Sequence, residues 1–192
     1  MYGGRPAEIV TVAGGAPVCG VDVLADGVIA RGVLLDIPAA RGVDWLEGPE
    51  PIFPEDLEAA EQRQGVRVQS GDVLCVRTGY LTRRNREGRK PGDHLQFPGL
   101  QAACVPWLRE REVSIIACDT ANDVMPSGYT RMAFPVHVLG IVFLGLWLID
   151  NCNNEELAAA CARHSRWDFQ FVLAPLRLTT ATCSPVNPLA VF

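Results

Sequence analysis

Histidine is scarce in this chain: only His94, His137 and His164 occur, and no two of them are spaced as HxH or HxxxH. A catalytic zinc takes about three protein ligands plus an open position, so the histidines alone do not assemble a metal centre. The GxSxG elbow, the GxxxxGK phosphate loop, a GxGxxG turn and HExxH are all missing. Their absence removes the common serine hydrolase, nucleotide-binding and zincin readings. Basic charge is also short, with 17 Lys and Arg against 22 Asp and Glu, a formal charge of −5 and a pI near 5.2. That balance argues against nucleic acid and against a polybasic membrane anchor. Seven cysteines form an odd set without a CxxC pair. Cys75 in "DVLCVRTG" and Cys118 in "SIIACDT" lie in apolar runs, where a free thiol packs as a small hydrophobe. The expectation is a reduced, cytoplasmic chain. The start, "MYGGRPAEIVTVAGG", lacks a basic n-region and an apolar h-region, so no signal peptide is expected.

What is present is apolar material in quantity, 48% of 192 residues. A chain of this length forms one domain over 1–192 and buries roughly 70% of its unfolded surface. "ARGVLLDI" (30–37) reads as a buried strand ended by Pro38. "PEDLEAAEQRQG" has Pro54 at a first helical position, acids in the first turn and Gly65 as a stop, all helix signals. "VRVQSGDVLCVRTG" predicts strand, turn, strand. "GLQAACVPWLRERE" has helical spacing, with Pro106 confined to the first turns. "VSIIACDT" is a second buried strand. The run 132–149 is long enough to suggest a membrane span, but Pro135, His137, Gly140 and Gly145 favour a buried helix running into a buried strand. "NNEELAAACARH" is a helix capped by Asn153 or Asn154, and "FQFVLAPLRL" and "LAVF" close the chain as strands. The alternation predicts an α/β or mixed α+β fold with a central sheet covered by helices.

Two polar clusters stand out. Arg77, Arg83, Arg84, Arg86, Arg89 and Lys90 gather in 77–93, either a solvated mobile loop or a lid that draws an anionic substrate over a site. Asp119, Thr120, Asn122 and Asp123 follow the "VSIIA" strand, either as turn and capping residues or as cavity residues at a strand end. His137, in "PVHVLGIVFLGLWLIDN", reads by itself more readily as a satisfied core histidine near Asp150 than as a metal ligand.

The blocks "GVIARGVLLDI", "PEDLEAAEQRQGV", "GDVLCVRTGY", "ACDTANDVMPSG", "PVHVLGIVFLGLWLIDN" and "PLRL" with "SPVNPLAVF" appear in one order from about Tyr2 to Phe192. In this the sequence resembles the cyclase family of metal-dependent hydrolases, which includes bacterial kynurenine formamidase, an enzyme of tryptophan catabolism, and isatin hydrolase. The resemblance implies a swivelling β/β/α fold, a homo-oligomer, a small-molecule substrate and hydrolysis of an amide or lactam by water activated on a divalent metal, zinc or manganese. It also implies ligands and a catalytic histidine from an HxGTHxDxPxH motif, which these residues do not contain; "MYGGRPAE" looks like the stretch that follows it. The expectation is therefore a chain truncated at its N-terminal side, with three readings open: an incomplete hydrolase, a non-catalytic binding paralogue, or a metal-independent enzyme using the same cavity. By the same resemblance His137 matches a later metal-binding histidine. Asp150 lies one residue beyond the spacing of a ligating glutamate. Asp119, Thr120, Asp123 and Ser184 fall near the substrate cavity. Where relatives carry GGTGSP, this chain has Thr180 to Pro185, and a positive φ at any replaced glycine would cost about 1 kcal/mol.

Overall fold

The computed structural model describes residues 1–192. After three short 3-10 turns at its start, the chain forms β1 (Val28–Asp36), α1 (Ile37–Arg41), β2 (Pro51–Ile52), α2 (Pro54–Gln64), β3 (Val73–Arg77), α3 (Tyr80–Glu87), β4 (Gly99–Leu100) and α4 (Cys104–Glu110). It continues through β5 (Ile115–Cys118), α5 (Pro135–His137) with a π-helical extension Val138–Leu144, β6 (Trp147–Ile149), α6 (Asn154–His164), β7 (Asp168–Leu173) and β8 (Leu189–Val191). The main sheet has the order β6-β5-β3-β1-β7-β8. Strands β1, β3, β5 and β6 run parallel, while β7 pairs antiparallel with β1 and β8 antiparallel with β7. This is the mixed α/β class that the sequence predicts.

Side chains alternate across a strand, so each strand feeds both faces of the sheet. Val33 and Leu35 of β1, Leu74 and Val76 of β3, and Ile116 and Cys118 of β5 enter one core of 20 buried residues. Ile37, Leu57, Ala60, Trp107, Leu108 and Val136 close it from α1, α2, α4 and α5. Leu34, Val73, Cys75, Ile115 and Ala117 point the other way, into a cluster of 11 that also takes Ala158 and Cys161 of α6. Beside α6 this second face is left as an open groove of about 940 Å3, bordered by Phe169, Phe171, Leu173 and the segment around Cys183 to Pro188. The Phe169 ring crosses β1 at Gly32, where a Cβ would run into it.

Local signals account for the well-placed helices. Pro54 opens α2, the Asp56 carboxylate accepts from Phe53 N at 2.8 Å, and Gly65 ends it at φ 63°. Asn153 caps α6 by accepting from Glu155 N. Pro106 sits in the first turn of α4, where its missing N–H leaves nothing unpaired.

Elsewhere the structure corrects the sequence. The 66–70 stretch is not a strand: Val66 N donates to Glu61 O and Val68 N to Glu61 Oε1, so α2 rather than a ladder satisfies its backbone. Residues 80–87 are helical rather than a loop, because most of the basic side chains there find carboxylates: Arg83 on Asp93, Arg86 on Asp44, Lys90 on Glu87. The helix of 135–144 is not buried all round. Gly140 packs towards Leu146 and Leu148, which turns Val138, Ile141 and Phe143 outward. The 174–178 stretch of "FQFVLAPLRL" forms no ladder. No helix is long and apolar enough to cross a membrane. Of residues 180–185 only Thr180 has a positive φ, 60°, an unusual place for a β-branched residue.

Candidate functional site

The C-terminal ends of the parallel strands β3, β5 and β6 bring three polar segments together: Thr78–Gly79, Asp119–Asp123 and Asp150–Asn151. In open α/β sheets this is the edge where ligands bind. Asp119 follows β5 and is buried, with Oδ1 accepting from Thr78 N and Thr78 Oγ1, both at 2.8 Å, and Oδ2 from Gly79 N at 2.9 Å. Gly79 can make this approach because it adopts φ 74° in a space where a Cβ would meet Trp45. Burial pushes the Asp119 carboxyl up to about 6, and the donors from Thr78 and Gly79 pull against it. Desolvation wins because no cation touches Asp119.

Asp119 and Thr120 line a cavity of about 530 Å3 together with Tyr80, Arg84, Arg89, His94, Asn151 and Cys152. Asp123 does not line it. Its carboxylate is wholly buried at the start of α5, where Oδ1 accepts from Val136 N at 2.6 Å and Oδ2 from His137 N at 3.2 Å. Asp123 Oδ2 also lies 2.6 Å from His137 Nδ1. The other ring nitrogen, Nε2, is 3.2 Å from Asp150 Oδ2, and Asp150 Oδ1 accepts from Asn122 Nδ2 at 2.6 Å. Ser184 belongs elsewhere: its hydroxyl accepts from Leu176 N and donates to Pro185 O on the rim of the large groove under α6.

His137 is therefore clasped between two carboxylates, and a carboxylate oxygen only accepts. Both ring nitrogens carry protons, and the pKa is pushed up to about 9 by the hydrogen bonds to Asp123 and Asp150 against the cost of burial. This arrangement bears on the expected metal. His137 Nε2 and Asp150 are the two groups able to face a cation, Asp123 is committed behind the ring, and no set of three His, Cys, Asp or Glu side chains is placed to hold a metal ion. Two donors, one of them protonated, do not fit a resident catalytic ion by themselves. What the constellation offers is a cationic acid held between two bases. Asn122 adds a second unusual feature: its Oδ1 is buried without a hydrogen-bond partner, and its backbone takes φ 56°.

Sequence reasoning singled out Asp119, Thr120, Asp123, His137 and Asp150, and the structure joins the last three directly. The cavity residues Tyr80, His94, Asn151 and Cys152 were missed. Arg84 and Arg89 were visible only as members of a basic run, whose pairing depends on partners far along the chain.

The cyclase family model matches residues 7–122, a span that ends just before Asp123. A crystal structure described as a novel cyclase has a TM-score of 0.88 and 30% identity, covering 100% of this chain and 64% of that one. This chain thus spans less than two thirds of that protein's length. Isatin hydrolase A from Labrenzia aggregata, bound to benzyl benzoate, has a TM-score of 0.66 and 20% identity over 93% of this chain and 72% of its own. A predicted metal-dependent hydrolase from Bacillus stearothermophilus has a TM-score of 0.56 and 15% identity over 84% and 63%. At those two identities the likeness is one of fold. No curated protein matches the chain. With over half its residues under the family model and its full length superposed on a cyclase structure, the chain belongs to the cyclase family.

Proposed function

We propose that the chain carries the acid–base part of a small-molecule hydrolase site acting on an amide or lactam. The observation that carries this reading is the Asp123–His137–Asp150 array at the ligand-binding edge of the sheet. Hydrolysis adds water across the C–N bond: hydroxyl joins the acyl carbon and nitrogen leaves with a proton. His137 holds a proton to give to that nitrogen, Asp150 is the carboxylate able to take one from water, and Asp123 fixes the ring between them. Zinc or manganese is expected from the family resemblance, and His137 and Asp150 bring two donors at most. Its presence is a question for elemental analysis.

The test is turnover of formanilide and of an isatin-type lactam, measured with and without chelator. His137→Gln and Asp150→Asn should each lower kcat by about a hundredfold. Unchanged turnover in both variants overturns the reading. The protonated state of His137 and the shortage of metal donors favour one alternative, a paralogue that binds its ligand without chemistry. Ligand-induced stabilisation of the parent protein with no turnover at any metal concentration would establish it.

A further inference from the structure

Six basic side chains crowd residues 77–93, and four of them are ion-paired. Arg77 bridges Asp36 and Glu155, Arg83 holds Asp93 at 2.7 Å, Arg86 reaches Asp44 and Lys90 reaches Glu87. Arg84 and Arg89 make no ion pair and no side-chain hydrogen bond, and both face the 530 Å3 cavity. Of the two acids in that cavity, Asp93 is ion-paired and Asp119 is held by neutral donors. Asp93 is engaged by Arg83 and by Lys90 N, and Asp119 by Thr78 and Gly79. Two unpaired guanidinium groups thus outnumber the one carboxylate without a cation, Asp119, in a cavity that Thr120 and Asn151 also line.

We propose that this cavity binds an organic monoanion, a small carboxylate seated on Arg84 and Arg89 with its body directed towards Thr120 and Asn151. This deepens the hydrolase reading and rests on it only for the claim that the ligand is a substrate. Guanidinium groups hold a carboxylate through paired, charge-assisted hydrogen bonds that a neutral amide of the same shape does not form. Helix α3, which carries Arg84, is anchored beside the cavity by the Arg83–Asp93 ion pair. In a chain with a net charge of −5, a local positive mouth also selects against cationic ligands.

The probes are benzoate and benzamide, alike in shape, the first anionic and the second neutral, followed by calorimetry with the full chain. Benzoate should bind at least about tenfold more tightly than benzamide, and added salt should weaken benzoate alone. Arg84→Gln with Arg89→Gln should erase the difference. Both residues are exposed and without partners, so the double variant keeps the fold, checked by an unchanged Tm. Equal affinities, no binding of either probe, or full benzoate binding by the double variant overturns the proposal. Turnover of 2-formamidobenzoate and its methyl ester separates the two ideas. Hydrolysis of both with equal kcat/KM leaves the hydrolase and removes the anion site, whereas charge-selective binding without hydrolysis of either does the reverse.

Discussion

The two faces of the sheet are built from the same strands and packed very differently. Alternate residues of β1, β3 and β5 enter a sealed core under α1, α2, α4 and α5 on one side, and a cluster covered by α6 alone on the other. On the covered side helices close over the strands. On the other side a groove of about 940 Å3 persists beside Phe169, Phe171 and Leu173. Equal hydrophobicity in the strands therefore does not mean equal contribution to stability, because what a buried side chain contributes depends on what closes over it.

The largest expected effect contrasts identical substitutions on the two faces. Leu74→Ala, in the sealed core, should cost about 3 to 5 kcal/mol in urea unfolding, whereas Leu173→Ala, which borders the groove, should cost about 2 or less because its surroundings are already partly open. Equal costs would break the comparison. An effect of roughly 2 to 3 kcal/mol is expected from His137, which sits at the edge joining the faces. Its pKa is raised from 6.5 to about 9, so the stabilisation is fully present below about pH 6.5 and is lost as the pH rises through about 9. Asp123→Asn should bring the titration back towards the ordinary histidine range and flatten that dependence, read by NMR of the ring protons and by unfolding at pH 6 and pH 10. The smallest effect concerns thiol labelling of the native protein. Exposed Cys19 and Cys183 should react at once. Burial pushes the others upward, Cys104 and Cys152 to about 12; the buried Cys75, Cys104, Cys118 and Cys161 react only through opening, while half-buried Cys152 reacts slowly in the native state. Cys75, on the grooved face, should be modified before Cys118 on the sealed one.

How far the sequence disclosed all this follows from the range of the interactions. Helix α2 was readable because Pro54, Asp56 and Gly65 act on their own backbone within one turn. Strands β1, β3 and β5 were readable from their apolar runs, but the strand expected at 66–70 was not there, since the Glu61 side chain had claimed its backbone. Asp123 was noticed as polar at a strand end. Its service to His137 was hidden, because the two stand 14 positions apart and no local rule joins them. The resemblance offered His137 and Asp150 as metal-ligand positions, the second with one residue too many in the spacing, and said nothing of the hydrogen bond between them. The π-helical turns over Val138–Leu144 take an extra residue per hydrogen-bonded turn, which is the right kind of geometry to absorb it. Arg84 and Arg89 were indistinguishable from their paired neighbours in the sequence, since pairing is decided by Asp44, Glu87 and Asp93 in three dimensions.

Strand β1 has a partner on each side, parallel β3 and antiparallel β7, and contributes to both cores. Neither of its edges is free to fray. In deuterated buffer its central amides should be the last to lose their protons, and their exchange should report unfolding of the whole molecule while β8, at the margin, opens on its own.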